Sequence, residues 1–368
     1  MRVCIEAASL LLRSAGVKNY VYHWVRHLAA LAGRESVAIF PPLSGLGELH
    51  HERSIAGRAA TVAGIGILQF LNYSRLPWRA GRVDIFHHSS LLLRNPPRGI
   101  RLTATIHDMT CRLNPEVHLP ANVAADEQFT ERVLKRACAL IAVSASSRND
   151  AVRLLRLPPE RVSVIYPGVP ERFFNAGAAE AEAVKQKYGF ARPYALFVGT
   201  IEPRKNVDAL LDAWADLDPS RRREFDLVVA GPAGWGNPAT LHRLRSSPPG
   251  VRYLGYVPEA DLPGLTAGAA VFVYPSLYEG FGFPVAQAMA AGTPVITSNV
   301  SSLPEITCGA ALLVDPLSRA ELRDALRRLL ECPETGRKLA AEAKRHAARY
   351  RWDRCAKESL EFFKRAAG

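Results

Sequence analysis

Short apolar segments alternate with helical patterns along the whole chain, which predicts an α/β fold. Strands covered by helices on both faces occur in a sequence as short continuous apolar runs. Such runs predict six strands in each half of the chain, near residues 2–7, 36–40, 83–87, 101–106, 139–143 and 162–165, then near 195–198, 225–230, 251–253, 271–274, 294–297 and 311–314. Each half is therefore predicted to be a Rossmann-like, doubly wound parallel sheet.

Glycines and prolines mark a boundary between the two halves. Residues 166–193 contain three prolines and three glycines around a short helical piece, which is typical of a linker. We expect an N-terminal domain at 1–170, a linker at 171–192, a C-terminal domain at 193–350 and a final helical segment at 351–368.

Local signals also predict where helices begin. A helical apolar face starts directly behind Gly16. Two capping boxes, in which a serine is followed three residues later by a glutamate, predict further helix starts at Ser302 with Glu305 and at Ser318 with Glu321.

The composition is that of a cytosolic globular protein. The 368 residues allow two domains with separate cores, and 48% of them are hydrophobic and 22% charged. No segment has the roughly 20 consecutive apolar residues that a membrane-spanning helix needs. The N-terminus is unlike a secretion signal, and the six cysteines form no CxxC pair. We therefore expect a cytoplasmic protein without a zinc site or a disulfide framework.

Positive charge is concentrated near the C-terminus. The formal net charge is +12, and residues 335–368 contain ten Lys or Arg against four Asp or Glu. Such a segment is either a solvated helix face or a patch for an anionic surface. Because Trp352, Phe362 and Phe363 lie among these charges, peripheral attachment at the inner face of a membrane is one hypothesis. Nucleic-acid binding is an alternative for the charge, although neither an aromatic-interleaved basic platform nor a helix-turn-helix pattern is present.

Residues 271–295 predict a strand, a glycine-rich turn and a helix N-terminus in direct succession. The glycines of the turn let the main chain approach a ligand, and the amides of a helix N-terminus attract an anion. One carboxylate, Glu279, lies at the turn. The next polar side chain inside the helix is Gln287, eight positions later.

This segment resembles the retaining nucleotide-sugar glycosyltransferases of glycosyltransferase family 4, which have a glutamate at the turn, glycines after it and a second glutamate eight residues on. The resemblance implies the GT-B architecture, two Rossmann-like domains facing each other across a cleft, with the acceptor bound by the first and the nucleotide sugar by the second. It also implies that the last helix crosses back onto the first domain. Gln287 departs from the family, because it stands where the second glutamate is expected.

The resemblance implies roles for three charged residues of the second domain. Arg204 and Lys205, behind the strand that ends at Val198, are similar to the family's diphosphate-binding cations and would stabilise the leaving diphosphate. Glu279 would accept hydrogen bonds from hydroxyls of the donor sugar. Thr200 replaces an arginine that the family often has, so Arg204 would carry that role alone. The less favoured alternatives are that the two cations form an exposed basic turn and that Glu279 is a carboxylate that interacts with the dipole of a helix N-terminus.

The same resemblance implies further site residues. His107 would be a fourth catalytic residue that bonds the donor sugar or its phosphate, and Asp108 would fix its ring or face the acceptor. The other implied donor-binding positions are Gly16, Gly231, Tyr256, Val257, Gly280, Phe281, Gly282 and Gln287. Because the Gln287 amide cannot make charge-assisted bonds to the ribose diol, we expect weaker donor binding than with glutamate.

The resemblance implies a retaining hexosyltransferase, with mannose as the favoured sugar. The donor would be GDP- or UDP-linked and the acceptor a glycan or a lipid-linked glycan, in surface polysaccharide or glycolipid synthesis. A nucleotide-sugar epimerase on the same fold is the alternative. Residues 216–218 spell the DxD triplet with which another glycosyltransferase fold holds a metal, but they precede Pro219 and do not end an apolar strand. We interpret them as a loop, so no divalent metal is expected to be required.

Overall fold

The computed structural model describes residues 1–11, 16–33, 36–41, 83–92, 95, 97, 99–236 and 238–368. These residues form two compact units. The first consists of Met1–Gly168 together with Arg351–Gly368, and the second is Val169–Tyr350. Each unit contains one sheet of six parallel strands.

The first unit has its strands in the order β2-β1-β3-β4-β5-β6. They are β1 (Val3–Glu6), β2 (Val37–Phe40), β3 (Ile85–His88), β4 (Arg101–Ile106), β5 (Ala139–Ala142) and β6 (Val162–Val164). The helices are α1 (Gly16–Ala32), α2 (Thr110–Leu113), α3 (Pro120–Phe129) and α4 (Ala145–Leu155), with 3₁₀ turns at Ala8–Leu11, Pro115–Val117 and Pro159–Arg161 and a π-helical turn at Thr130–Leu134. The strand order reverses between β1 and β3, and such reversals are where ligands bind in open α/β sheets.

The second unit has its strands in the order β12-β11-β10-β7-β8-β9. They are β7 (Tyr194–Val198), β8 (Asp226–Ala230), β9 (Val251–Gly255), β10 (Val271–Tyr274), β11 (Val295–Ser298) and β12 (Leu312–Val314). The helices are α5 (Glu171–Asn175), α6 (Ala178–Tyr188), α7 (Val207–Ala215), α8 (Pro219–Glu224), α9 (Pro238–Arg245), α10 (Leu262–Ala267), α11 (Phe283–Ala291), α12 (Leu303–Thr307), α13 (Arg319–Glu331) and α14 (Pro333–Ala347). Here the order reverses between β7 and β10.

All twelve predicted strands are confirmed, and each observed end lies within two residues of the predicted one. The prediction succeeds because nearly every central strand residue is buried, so the apolar runs in the sequence coincide with the strands. The α/β class with two doubly wound parallel sheets is therefore correct.

Residues 171–192, predicted to be a linker, instead form α5 and α6 within the second unit. Phe173 and Val184 of these helices are buried. A Cβ on Gly264 of α10 would lie 2.7 Å from the carbonyl oxygen of Glu180, so α6 and α10 pack backbone to backbone. One of the three glycines that suggested a linker, Gly189, has a φ of +64° and ends α6.

The last helix, α15 (Trp352–Ala367), belongs to the first unit and packs on α1. The indole Nε1 of Trp24 on α1 donates to the hydroxyl of Ser359 at 2.9 Å. Trp352, Phe362 and Phe363 are all at most 3% exposed, because they form the buried face of α15. The hypothesis that these aromatic residues contact lipid is therefore wrong for this conformation. No helix among the described residues is both long and apolar enough to cross a bilayer.

Candidate active site

Two turns meet at the strand reversal of the second unit. Strands β7 and β10 are hydrogen-bonded neighbours and run parallel, so their carboxyl ends lie at the same edge of the sheet. The turn after β7 carries Arg204 and Lys205, and the turn after β10 carries Glu279. The structure thus brings together three of the four predicted catalytic residues, at the position where open α/β sheets bind ligands.

The cationic turn is held by Asn206. Pro203–Lys205 form a single 3₁₀ turn, and Asn206 follows it with a left-handed backbone, φ +56°. Its side-chain Nδ2 donates to the carbonyl oxygens of Pro275 at 3.1 Å and Pro316 at 2.7 Å. Asn206 therefore links the turns that follow β7, β10 and β12.

Glu279 is the centre of a buried ionic cluster. One carboxylate oxygen, Oε1, accepts from Lys205 Nζ at 2.5 Å, from Ser276 Oγ at 2.7 Å and from the Tyr274 hydroxyl at 3.0 Å. The other oxygen, Oε2, lies 3.0 Å from Nη1 of Arg204. Glu279 and Lys205 are only 7% and 8% exposed, so these bonds lie in a low-dielectric environment where they are strong.

Arg204 contacts a second carboxylate as well. Its Nη2 donates to Glu202 Oε1 at 2.7 Å, and its Nη1 also donates to the carbonyl oxygen of Tyr278 at 2.7 Å. Glu202 is 3% exposed. The cluster therefore contains two cations, Arg204 and Lys205, and two carboxylates, Glu202 and Glu279, so that its formal charges cancel.

The pKa shifts agree with an ionised cluster. Burial alone would raise the pKa of Glu279, but Arg204 and Lys205 outweigh it and lower that pKa to about 2. Burial and the Arg204 guanidinium lower the pKa of Lys205, while the two carboxylates act in the opposite direction. Burial, followed by the Glu279 carboxylate, raises the pKa of Tyr274, so its phenol remains protonated. At neutral pH Glu279 is therefore an anion.

The turn after Glu279 has the backbone expected of a helix entry. Gly280 and Phe281 are buried, and Gly282 has a φ of +89°, which favours glycine. A Cβ on Gly282 would also lie 2.8 Å from Cδ2 of Leu303. Gln287 lies in the second turn of α11 and is partly exposed. The turn and the helix thus have the predicted form, and anion binding there stays a prediction.

Two serines hold Glu279 from the turn after β11. The hydroxyl of Ser301 accepts from the Glu279 N–H at 3.0 Å, and the hydroxyl of Ser302 donates to the Glu279 carbonyl at 2.9 Å. The predicted capping box at Ser302 is wrong, because Ser302 makes no side-chain cap bond. At Ser318 the serine half of the box is confirmed, since its side chain accepts from the N–H of Glu321, whereas the Glu321 carboxylate accepts from the N–H of Asp315 at 2.8 Å.

The other candidates of the second unit follow β8 and β9. Gly231 has a φ of +146°, and a Cβ there would lie 1.9 Å from the carbonyl oxygen of Gly199. Only glycine fits this close approach to the turn that leads to Arg204. Val257 is buried and Tyr256 partly buried directly after β9. Both lie at the carboxyl edge of the sheet, although β9 is two strands away from β7.

Three candidates belong to the first unit. His107 follows β4, and its Nε2 is bonded to the carbonyl oxygen of Ser89 at 2.7 Å. Asp108 accepts from the N–H of Thr110 at 2.9 Å, so its carboxylate stabilises the start of α2 and does not bond the His107 ring. Gly16 is the exposed first residue of α1, and a Cβ there would meet nothing within 4 Å. The described contacts therefore give no steric reason for glycine at that position.

Sequence reasoning missed Glu202, Tyr274 and Ser276. The side chain of Glu202 bonds Arg204, and the hydroxyls of Tyr274 and Ser276 bond Glu279. Glu202 lies two residues before Arg204, and this close spacing of a carboxylate and a basic pair behind a strand was the available signal. Tyr274 ends an apolar strand, where its hydroxyl gives no signal of its own.

Comparisons with known proteins agree with this geometry. Residues 14–173 match the family described as Glycosyltransferase Family 4, and residues 180–346 match Glycosyl transferases group 1. The chain is 31% identical to the O-antigen chain mannosyltransferase B of Escherichia coli, over 99% of this chain and 100% of that relative.

Two solved structures have the same fold. Sucrose-phosphate synthase from Thermosynechococcus elongatus gives a TM-score of 0.75 at 19% identity, over 99% of this chain and 98% of that chain. Anabaena Alr3699/HepE in complex with UDP and glucose gives 0.71 at 19% identity, over 99% of each chain. At this level of identity the two structures establish the fold that they share with this chain.

Proposed function

The chain belongs to glycosyltransferase family 4, and from this membership we propose a retaining hexosyltransferase that moves mannose from a GDP- or UDP-linked donor to a glycan or lipid-linked acceptor. The enzyme class follows from the family. The sugar and a role in surface polysaccharide synthesis are supported by the full-length likeness to an O-antigen mannosyltransferase. The observation that carries the proposal is the Arg204, Lys205 and Glu279 cluster at the strand reversal.

The cluster contains the fixed positive charge that would stabilise a departing diphosphate. Two cations, Arg204 and Lys205, are fixed in a water-poor environment, where they would meet the charge that develops on the leaving diphosphate. Glu279 holds both cations in place and would also accept hydrogen bonds from the sugar hydroxyls. In the family reaction the acceptor attacks the face from which the leaving group departs, and a donor phosphate oxygen takes the acceptor proton.

Product analysis tests the proposal. The purified chain is incubated with GDP- and UDP-linked hexoses, each with and without a mannose-containing oligosaccharide acceptor. We expect nucleoside diphosphate to be released only when the acceptor is present, and NMR of the product to show the anomeric configuration of the donor. Consumption of the donor without acceptor would favour the epimerase alternative, and an inverted product would contradict retention.

We propose that the reaction requires no divalent metal. The carboxylates of the DxD triplet are engaged at helix ends: Asp216 forms an ion pair with Arg319, and Asp218 accepts from the N–H of Ser220 at 2.7 Å. The cations Arg204 and Lys205 would supply the charge that a metal supplies elsewhere. Addition of excess EDTA should therefore leave the transfer rate within about twofold of the rate of the untreated enzyme. Removal of a required metal would cause a much larger loss of rate. A rate that collapses with EDTA and returns with Mn²⁺ or Mg²⁺ would refute this proposal.

We propose that Gln287 weakens the binding of the donor. Its side chain is partly exposed in the second turn of α11. A glutamate there would make charge-assisted bonds to a ribose diol, which are about twice as strong as those of an amide. Gln287→Glu should lower the donor dissociation constant about tenfold, measured by titration calorimetry. Gln186→Glu, at an exposed position of α6, makes the same change of net charge and serves as the matched control, and an unchanged constant for Gln287→Glu would exclude the proposal.

We propose that attachment to an anionic membrane surface, where it occurs, is electrostatic. The net charge of +12 supports this, and the buried positions of Trp352, Phe362 and Phe363 make insertion of α15 unfavourable. Co-sedimentation with vesicles that contain phosphatidylserine should fall steeply as salt rises from about 0.05 to 0.5 M, because exposed charges are screened. Binding that is indifferent to salt and to anionic lipid would contradict an electrostatic attachment.

A further inference from the structure

Glu6 is a fully buried carboxylate at the end of β1 in the first unit. Its Oε1 accepts from the N–H of Ala8 at 2.7 Å, and its Oε2 accepts from the hydroxyl of Ser90 at 2.7 Å. In the described part of the chain, no arginine or lysine forms an ion pair with it. Burial raises the pKa of Glu6 to about 7, and the hydrogen bonds from Ser90, Ala8 and Ser89 oppose that rise. A carboxylate that is buried without a cation is costly, and groups of this kind cluster at functional sites.

Glu6 is bonded to the turn that follows β3 through both its side chain and its main chain. Besides the Ser90 hydroxyl, its carboxylate is bonded by the main-chain N–H groups of Ser89 and Ser90. In return, the carbonyl oxygen of Glu6 accepts from the hydroxyl of Ser89. Strands β1 and β3 are neighbours at the strand reversal of the sheet, so this turn lies at the ligand-binding edge.

The same turn fixes the ring of His107. The carbonyl oxygen of Ser89 lies 2.7 Å from His107 Nε2, and a carbonyl can only accept, so Nε2 carries the proton. Burial lowers the pKa of His107, which keeps the imidazole neutral. In a neutral ring with a proton on Nε2, the other nitrogen, Nδ1, is an acceptor. Within the described residues, the ring forms one hydrogen bond, and it is made by Nε2.

We propose that Glu6 is a positioning residue of the transferase, which fixes the turn at Ser89 and Ser90 so that His107 presents Nδ1 as an acceptor to a substrate hydroxyl. This inference rests on the proposed function, because it assigns Glu6 a role in the same reaction. Glu6 itself is buried beneath the turn and acts only through His107. The connection runs from the Glu6 carboxylate to the Ser90 hydroxyl, along the main chain to the carbonyl oxygen of Ser89, and from there to the imidazole.

A double-mutant cycle tests whether Glu6 acts through His107. Glu6→Gln keeps the size of the side chain but places an NH₂ group among N–H and O–H donors. We expect kcat to fall about tenfold with little change in the donor KM, because a small displacement of a catalytic group causes losses of this size. In a His107→Ala background the same substitution should lower kcat by less than about twofold. Equal losses in the two backgrounds would overturn the proposal.

The state of the His107 ring gives a readout that needs no substrate. In ¹⁵N-histidine spectra, assigned by comparison with His107→Ala, the wild-type ring should carry its proton on Nε2, and Glu6→Gln should shift population to the Nδ1–H form. Ser90→Ala removes one donor and leaves Glu6 in place, so it should cause a smaller shift in the same direction. If Glu6→Gln does not fold, Ser90→Ala replaces it in this test. Thr103→Val is the control, since it removes a buried hydroxyl that lies 2.9 Å from His87 Nδ1 and should leave His107 unchanged.

An unchanged His107 spectrum in both Glu6→Gln and Ser90→Ala would also overturn the proposal. These spectra separate the inference from the proposed function. If the wild-type chain transfers no sugar, the proposed function fails, whereas the spectra still decide whether Glu6 orients the imidazole.

Discussion

Lys205→Met should lower kcat about 10³-fold, because in the proposed mechanism the lysine is one of two cations that meet the charge of the leaving diphosphate. Methionine fills the space of the buried alkyl stem and removes only the ammonium group. The Nζ of Lys205 bonds both Glu279, at 2.5 Å, and the hydroxyl of Tyr274, at 2.7 Å. The affinity for the nucleoside diphosphate product should weaken in parallel, since the remaining cluster has one cation for two carboxylates. Steady-state kinetics and calorimetry measure the two effects.

Stability must be measured alongside, because Lys205→Met also removes a partner of a buried carboxylate. The pKa of Glu279 is held at about 2, below the usual 4.5, so its pairing stabilises the fold above pH 4.5 and that stability is lost as pH falls through the folded pKa. The variant should therefore melt at a lower temperature at pH 7 and depend less on pH between about 2 and 4.5. Lys338→Met, at an exposed position of α14, should change neither kcat nor melting temperature. Near-normal turnover by folded Lys205→Met would remove Lys205 from the catalytic set.

The sequence was sufficient to find the charged residues that directly follow strands. Arg204, Lys205 and Glu279 lie in turns behind apolar runs, and the carboxyl ends of parallel strands are where such sheets bind ligands. Their mutual contacts could not be predicted in the same way. Whether Lys205 meets Glu279 depends on β7 pairing with β10, a contact between segments that are more than 70 residues apart. Local patterns predict that strands exist and say little about their order.

The wrong predictions have the same physical origin. At Ser302 the motif for a capping box is present, but its hydroxyl bonds the carbonyl of Glu279, which is 23 residues away in the sequence. In residues 171–192, Gly189 ends α6, and Gly264 of α10 lets that helix pack closely on α6, so the predicted linker is part of the packed second unit. In α15, aromatic residues that suggested a lipid contact pack on α1. In each case the local sequence is compatible with more than one structure, and a tertiary contact determines which one forms.

Charge neutrality of the cluster has a consequence for catalysis. Arg204 and Lys205 are already paired with Glu202 and Glu279, so a diphosphate does not meet two uncompensated cations. It must compete with two carboxylates for them. In the proposed reaction such competition would weaken the binding of the charged product and favour its release, while the cations stay positioned for the charge that develops on the leaving diphosphate in the transition state. The carboxylates should therefore limit product affinity as well as support turnover.

Glu279→Gln tests this consequence, because it should change turnover and product affinity in opposite directions. Turnover should fall about 100-fold, since the amide cannot orient both cations and accept from the sugar as an anion can. The nucleoside diphosphate should nevertheless bind about tenfold more tightly, because the cluster gains one net positive charge, and tenfold is well within the Coulomb energy of a charge pair at an effective dielectric constant of about 20. Because Lys205→Met should weaken the binding of the nucleoside diphosphate, the affinity of the wild type should lie between those of the two variants. Glu342→Gln makes the same change of net charge at an exposed site, and its affinity should match the wild type. Weaker product binding by a folded Glu279→Gln variant would mean that Glu279 acts on the diphosphate mainly by orienting the cations and not by competing for them.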